Sequence, residues 1–130
     1  MFKQLAAFSV LASISCACAA ADDLYTSEYS SCIDDSGGVT VEILNCIAAE
    51  FGVQDARLNG AYKRLGSTLT PSRKTQLTSA QRLWVQYRDA NCDFYADPEG
   101  GTLAGIASND CVLRETAERA KELETLQFTD

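Results

Sequence analysis

Residues 77–92 read LTSAQRLWVQYRDANC, and the apolar side chains in this segment recur every three or four positions. That spacing places them along one face of an α-helix. The full stripe consists of Leu77, Ala80, Trp84, Tyr87, Asn91 and Phe94. We predict a long amphipathic helix in which Trp84 and Tyr87 are anchors of the hydrophobic core.

Turn-forming residues mark both ends of this helix. Pro71 fits the first position of a helix and biases Thr70 toward extended dihedrals, so Thr70 is the predicted cap. At the other end, the run Asp97-Pro98-Glu99-Gly100-Gly101 predicts a turn. The helix therefore lies between two short connections.

Stripes of the same kind predict a long helix on each side of the first. The preceding helix is predicted to have Thr40 as its N-cap, and its stripe is Ile43, Ile47, Phe51, Leu58, Tyr62, Leu65 and Leu69, with Tyr62 a further core anchor. The following helix restarts at Thr102, and its stripe is Leu103, Ile106, Asp110, Leu113, Ala117, Ala120 and Leu123. A segment from Leu24 to Ile33 has room for one or two helical turns. We predict an all-α fold, a small antiparallel bundle of three long helices plus a short N-terminal helix.

The first 21 residues have the pattern of a secretory signal peptide: a basic start, an apolar stretch from Leu5 to Ile14, and small residues ending at Ala21. We predict export to the periplasm or the cell exterior, with residues 22–130 forming one helical domain. A lipid anchor at Cys16 is the alternative. It is disfavoured because a serine stands three positions before the cysteine, where a lipobox has a large aliphatic residue.

Four cysteines remain after the leader is removed: Cys32, Cys46, Cys92 and Cys111. An even number in a short exported chain predicts two disulfides, and four cysteines allow three connectivities. We favour Cys32 with Cys46 and Cys92 with Cys111, because each pair would tie the two sides of one connection between helices. The other connectivities stay open at this point.

The chain is acidic, with 18 Asp and Glu against 11 Lys and Arg and a formal net charge of −7. This balance repels nucleic acid and anionic lipid and would steer the protein toward a cationic partner. Acidity also serves solubility in exported proteins, and that explanation alone is sufficient for the composition.

The sequence lacks the usual residues of catalysis. It contains no histidine, which excludes the commonest general base and the commonest metal ligand. The mature cysteines are expected to be oxidised, so thiolate nucleophiles and thiolate metal sites are not expected either. Glycine pairs have neither P-loop nor dinucleotide-binding spacing. We expect a binding protein with no cofactor, no metal and no enzymatic activity.

Several polar residues lie on or beside the apolar stripes: Asp55, Asn59, Arg82, Arg88 and Asp89. Charged groups near a bundle core must be paired to be tolerated. We interpret these residues as a structural network between helices, and we expect an ion pair between Asp55 and Arg88.

The spacing of these residues resembles the LprI-like lysozyme inhibitor family. The matching positions are Cys32, Cys46, Glu50, Asp55, Leu58, Asn59, Tyr62, Leu77, Ala80, Gln81, Arg82, Trp84, Tyr87, Arg88, Asp89, Cys92, Gly100, Gly101, Cys111, Thr116 and Arg119. The segment from Ala80 to Cys92 is the most specific part. The resemblance implies an exported helical domain, with lysozyme inhibition as the activity that names the family.

Two functions follow from this sequence. In the first, the protein binds and inhibits a cationic lysozyme through the exposed acidic turns, and the candidate binding residues are Asp34, Asp35, Asp97 and Glu99. In the second, it is a periplasmic interaction module or immunity protein that binds a different toxin or envelope partner. A family resemblance predicts the fold more reliably than the activity, because activity depends on the particular residues of a binding or active site.

Overall fold

The structure, a computed structural model, describes residues 24–126. Four helices follow one another: α1 (Ser27–Asp35), α2 (Thr40–Thr68), α3 (Pro71–Tyr95) and α4 (Gly101–Thr125). The predicted bundle of three long helices and one short one is confirmed. None of the helices in the described range is long and apolar enough to span a bilayer. The predicted signal peptide and the alternative anchor at Cys16 lie outside the described residues.

The predicted cap of α3 is confirmed. Thr70 has extended dihedrals, and its side chain accepts a hydrogen bond from the Arg73 backbone N–H at 3.4 Å, directly before Pro71. Thr26 caps α1 in the same way. The prediction for Thr40 is wrong by one position: it is the first helical residue, and Val39 precedes it without a side-chain cap.

The core lies mainly between α2 and α4, which form the most extensive helix pair. Its central cluster consists of Leu58, Ala61 and Leu65 from α2 with Ala120 and Leu123 from α4. α3 packs chiefly against α4, and α1 packs against α2. Each outer helix therefore contacts the central pair along one narrow face.

The favoured disulfide connectivity is confirmed. Cys32 joins Cys46 between α1 and α2, and Cys92 joins Cys111 between α3 and α4. Cys46, Cys92 and Cys111 are buried, whereas Cys32 is exposed. Each bridge fastens an outer helix to one of the two central helices.

The core-anchor prediction for Tyr87 is wrong, since 57% of this residue is exposed. Tyr62 and Trp84 are half-buried and pack against the central cluster. Cys92 is the buried residue of α3. The apolar stripe of α3 is wider than the face that α4 covers, and the residues at its edge stay in water.

A buried carboxylate fastens the start of α1. Glu50 on α2 is 3% exposed and accepts hydrogen bonds from the Thr26 backbone N–H at 2.9 Å and the Thr26 hydroxyl at 2.5 Å. The Gln54 side chain donates to the same carboxylate at 2.8 Å and to the Leu24 carbonyl at 3.3 Å. The carboxylate thus satisfies donors from both helices.

Burial by itself raises the pKa of the Glu50 carboxyl. Hydrogen bonds from Thr26 and Gln54 outweigh burial, so the pKa lies below its usual value of 4.5. The unfolded chain therefore takes up this proton more readily than the folded protein. Glu50 stabilises the fold above its unfolded-state pKa, and that stabilisation is lost as the pH falls through the folded-state pKa.

We predict that Glu50→Ala lowers the free energy of unfolding by about 2 kcal/mol, because buried donors on α1 and α2 lose their acceptor. Amide hydrogen exchange within α1 should accelerate, and part of the destabilisation of the wild type between neutral pH and pH 4 should disappear. Glu42→Ala, an exposed carboxylate on the same helix, is the control. Unchanged exchange in α1 would show that the disulfide alone holds this helix.

Candidate functional site

The two acidic turns come together at one end of the bundle. α1 is antiparallel to α2, since Thr26 contacts Glu50 near one end of α1 while Cys32 joins Cys46 near the other. α3 is antiparallel to α4 in the same way. Because α2 and α3 are also joined by a tight turn, the α1–α2 and α3–α4 connections share an end. We call this end, residues 27–46 and 89–113, the turn end.

Charge is segregated along the bundle. The turn end contains nine acidic residues and no Lys or Arg: Glu28, Asp34, Asp35, Glu42, Asp89, Asp93, Asp97, Glu99 and Asp110. Residues 57–88, at the other end of α2 and α3, contain seven Lys and Arg and no acidic residue. The modest net charge of the chain therefore conceals two strongly charged ends of opposite sign.

The four predicted partner-binding residues are all exposed at the turn end. Asp34 and Asp35 lie in the last turn of α1, and Asp97 and Glu99 lie in the α3–α4 connection. The Asp97 carboxylate accepts a hydrogen bond from the Glu99 backbone N–H at 2.9 Å, which orders the connection. The Glu99 side chain is exposed.

Large apolar side chains are exposed beside these carboxylates. Phe94 is 83% exposed and Leu103 is 75% exposed, although their positions on the stripes indicated core residues. Val39, Val41 and Tyr95 are exposed at the same end. Aromatic and aliphatic anchors surrounded by a charged rim are characteristic of protein-binding surfaces.

Leu103 is exposed because α2 does not reach it. Arg57 on α2 pairs with Glu124 on α4. At equal rise per residue, the first residue of α2 then lies level with Ala107. The first turn of α4 extends past the start of α2, where no helix covers its apolar stripe. Phe94 stays exposed because α3 packs chiefly against α4 and not against α2.

The tyrosines of the N-terminal segment also reflect the negative charge here. Burial, and after it the neighbouring Asp110 carboxylate, raise the pKa of Tyr25 to about 12. The pKa of Tyr29 is raised by the same two causes in the same order, with Glu50 adding to them. Each carboxylate disfavours the negative tyrosinate form.

The predicted polar network does not assemble as expected. Arg88 pairs with its neighbour Asp89 at 2.8 Å and donates to the Thr116 hydroxyl at 3.4 Å. Asp55 accepts instead from Asn59 at 3.1 Å, so the expected ion pair between Asp55 and Arg88 is wrong. Asp89, adjacent in sequence, pairs with the Arg88 guanidinium within α3.

These residues line an open groove between α2 and α3, which we call the α2–α3 groove. Its volume is about 390 Å³, and Asp55, Asn59, Arg82 and Arg88 contribute to its walls. The half-buried Trp84 ring lies under the guanidinium groups of Arg88 and Arg119, at 5.2 and 5.9 Å from the ring centre. Asp89 does not line the groove.

Comparison with known proteins identifies the family of this chain. The sequence model of the family described as lysozyme inhibitor LprI matches residues 32–123. The chain belongs to the LprI lysozyme inhibitor family. The LprI match covers both disulfides and both turns of the turn end.

An uncharacterized protein of Rhizobium meliloti (strain 1021) is 25% identical to this LprI member over 95 residues, which is 62% of this chain and 68% of the relative. No solved structure matches the chain. Within residues 24–126, no group of three or more His, Cys, Asp or Glu is arranged to hold a metal ion.

The sequence of this LprI protein already indicates part of the charge segregation. The absence of Lys and Arg from residues 27–46 and 89–113 is a plain sequence signal that the four candidate residues did not capture. The exposed anchors Phe94 and Leu103 were missed, because their helical spacing is the same as that of core residues. Only the helix packing separates the two cases.

Proposed function

We propose that this protein is exported and inhibits lysozyme by binding, with the turn end seated against the cleft of a cationic muramidase. The observation that carries the proposal is the concentration of nine acidic residues, without a single Lys or Arg, at one end of an LprI-family bundle. The protein acts as a physical obstruction and performs no chemistry on the enzyme.

The two kinds of side chain at the turn end have different roles. Long-range attraction between the acidic turns and a basic enzyme speeds the encounter and orients it. Phe94 and Leu103 then supply apolar area that is removed from water on contact, which slows dissociation. Charge therefore governs association, and the apolar anchors govern the lifetime of the complex.

We predict that the mature protein slows lysis of cell walls by a c-type lysozyme and that its association rate falls steeply as salt rises from 20 to 200 mM, about tenfold, as expected for steering by exposed charges. Stopped-flow mixing would measure the rate. Asp97→Asn with Glu99→Gln should slow association more than it speeds dissociation. Glu118→Gln, an exposed carboxylate on α4 outside the turn end, is the control.

The lysozyme inhibition and binding assay also distinguishes lysozyme inhibition from the alternative function. An absence of both inhibition and binding toward every lysozyme class at micromolar concentration would reject lysozyme as the partner. The turn end would then serve a different basic protein of the envelope, as an interaction module or immunity protein would. If neutralising either turn acts mainly on dissociation, that turn lies inside the buried contact and not on its rim.

A further inference from the structure

The α2–α3 groove lies away from the turn end and has a different chemistry. Its walls combine the half-buried rings of Trp84 and Tyr62 with the planar amides of Asn59 and Gln81. The Tyr62 hydroxyl and the Thr78 hydroxyl are 3.0 Å apart and connect the two walls. Half-buried aromatic rings beside amide and hydroxyl groups suit a compact ligand that carries many hydroxyls.

Several polar groups of the groove are only partly used by the protein. The Gln81 carbonyl accepts a hydrogen bond from Arg119 at 3.1 Å, which leaves the amide donors of Gln81 toward the groove. The Asn59 amide donates to Asp55, which leaves the Asn59 carbonyl. Every one of these groups is held in place by a bond on its other side, as a binding site requires.

The groove also carries an uncommitted positive charge. The exposed Arg82 guanidinium makes no hydrogen bond or ion pair with any residue in the range 24–126. It lies within residues 57–88, whose seven charged side chains are all basic. The Asp55 carboxylate, which also lines the groove, accepts a hydrogen bond from Asn59. A guanidinium binds a carboxylate through two parallel hydrogen bonds, so this rim favours a carboxylate-bearing ligand.

We propose that the α2–α3 groove binds an acidic saccharide, with the sugar hydroxyls on the amides of Gln81 and Asn59 and the carboxylate of the sugar on Arg82. The volume of about 390 Å³ fits a ligand of one or two sugar units. Two sources supply this chemistry: the muramic acid of peptidoglycan and the uronic acids of acidic polysaccharides. This site goes beyond lysozyme inhibition and uses the opposite end of the molecule.

Trp84 provides the measurement, because it is the single tryptophan of the chain and lines the groove. We expect its fluorescence to shift saturably when the mature protein is titrated with the disaccharide of N-acetylglucosamine and N-acetylmuramic acid. Chitobiose differs chiefly by lacking the lactyl carboxylate and should bind at least about tenfold more weakly, as expected for loss of a charge-assisted bond. Digalacturonate tests the uronate source, and the tighter of the two acidic ligands identifies the source.

Arg82→Gln should weaken binding of the acidic disaccharide about tenfold and leave the far-ultraviolet circular dichroism unchanged, because Arg82 makes no hydrogen bond or ion pair within residues 24–126. Lys74→Gln removes an equal charge from an exposed position of α3 that does not line the groove, and it should leave the affinity unchanged.

Two results would overturn the proposal: no shift of Trp84 fluorescence at millimolar saccharide, or equal binding of chitobiose and the acidic disaccharide. Because no lysozyme is present in the titration, a failure here leaves the inhibition assay unaffected. A failure of the inhibition assay would likewise leave the result of the saccharide titration unaffected.

Discussion

Reversing one charge in each acidic turn, by Asp35→Lys together with Glu99→Lys, is expected to weaken lysozyme binding about 100-fold. An exposed ion pair contributes up to about 1 kcal/mol, and a reversal replaces that attraction by repulsion. Two positions then cost about 3 kcal/mol, which corresponds to about two factors of ten in affinity. Inhibition titrations and stopped-flow association would measure the effect, which should appear mainly in the association rate.

These two substitutions are chosen to spare the fold. Asp35 is the last residue of α1, where a Lys side chain interacts favourably with the helix dipole. Glu99 contributes its backbone N–H to the ordering bond with Asp97, and that bond survives a change of side chain. Circular dichroism and thermal unfolding should therefore match the wild type.

The matched control applies the same change of net charge away from the turn end, by Glu118→Lys, Ser72→Lys and Ser79→Lys, all at exposed positions. The proposed mechanism depends on the position of the charges at the turn end and not on the net charge of the protein. This variant should therefore keep most of its inhibitory activity. Equal losses in the two variants would refute a specific role for the turn end.

Reduction of both disulfides is expected to lower the free energy of unfolding by about 6 kcal/mol, or about 3 kcal/mol for each bridge. The bridges join cysteines 14 and 19 residues apart, which is the basis of this figure in the chain-entropy treatment. A domain of this size has a total stability of about 5 to 15 kcal/mol, so the reduced protein should be close to unfolding. Urea denaturation with and without reductant would measure the difference.

The two bridges should differ in accessibility and in consequence. Cys32 is exposed, whereas Cys92 and Cys111 are each 1% exposed, so mild reductant should open the α1–α2 bridge first. Paired replacement by alanine separates the contributions. Loss of Cys92–Cys111 should release the end of α3, whose buried residue is Cys92 itself. Titration of two or more free thiols in the denatured, unreduced protein would contradict the disulfide framework.

The amino-acid sequence alone determined the secondary structure, because helix periodicity, capping residues and proline depend only on nearby positions. The stripe from Leu77 to Phe94 predicted α3, and Thr70 with Pro71 predicted where it begins, because capping and proline geometry depend on neighbours along the chain. The short connections between helices favoured the disulfide pairing, and the structure decided it among the three possible connectivities. The polar positions of the α2–α3 groove were recognised as a group, but as a structural network and not as the lining of a groove.

The tertiary structure alone decided which stripes are covered and which charges meet. Helical spacing shows that Tyr87, Phe94 and Leu103 lie on an apolar face, but not whether another helix reaches that face. Here α4 covers only a narrow part of α3, and α2 begins too far along the bundle to cover the α3–α4 turn. Asp35 and Glu99 are 64 positions apart in the sequence, and they share one end because α1 and α3 are each antiparallel to the helix that follows. Burial and long-range charge depend on distances through space, which a one-dimensional pattern does not contain.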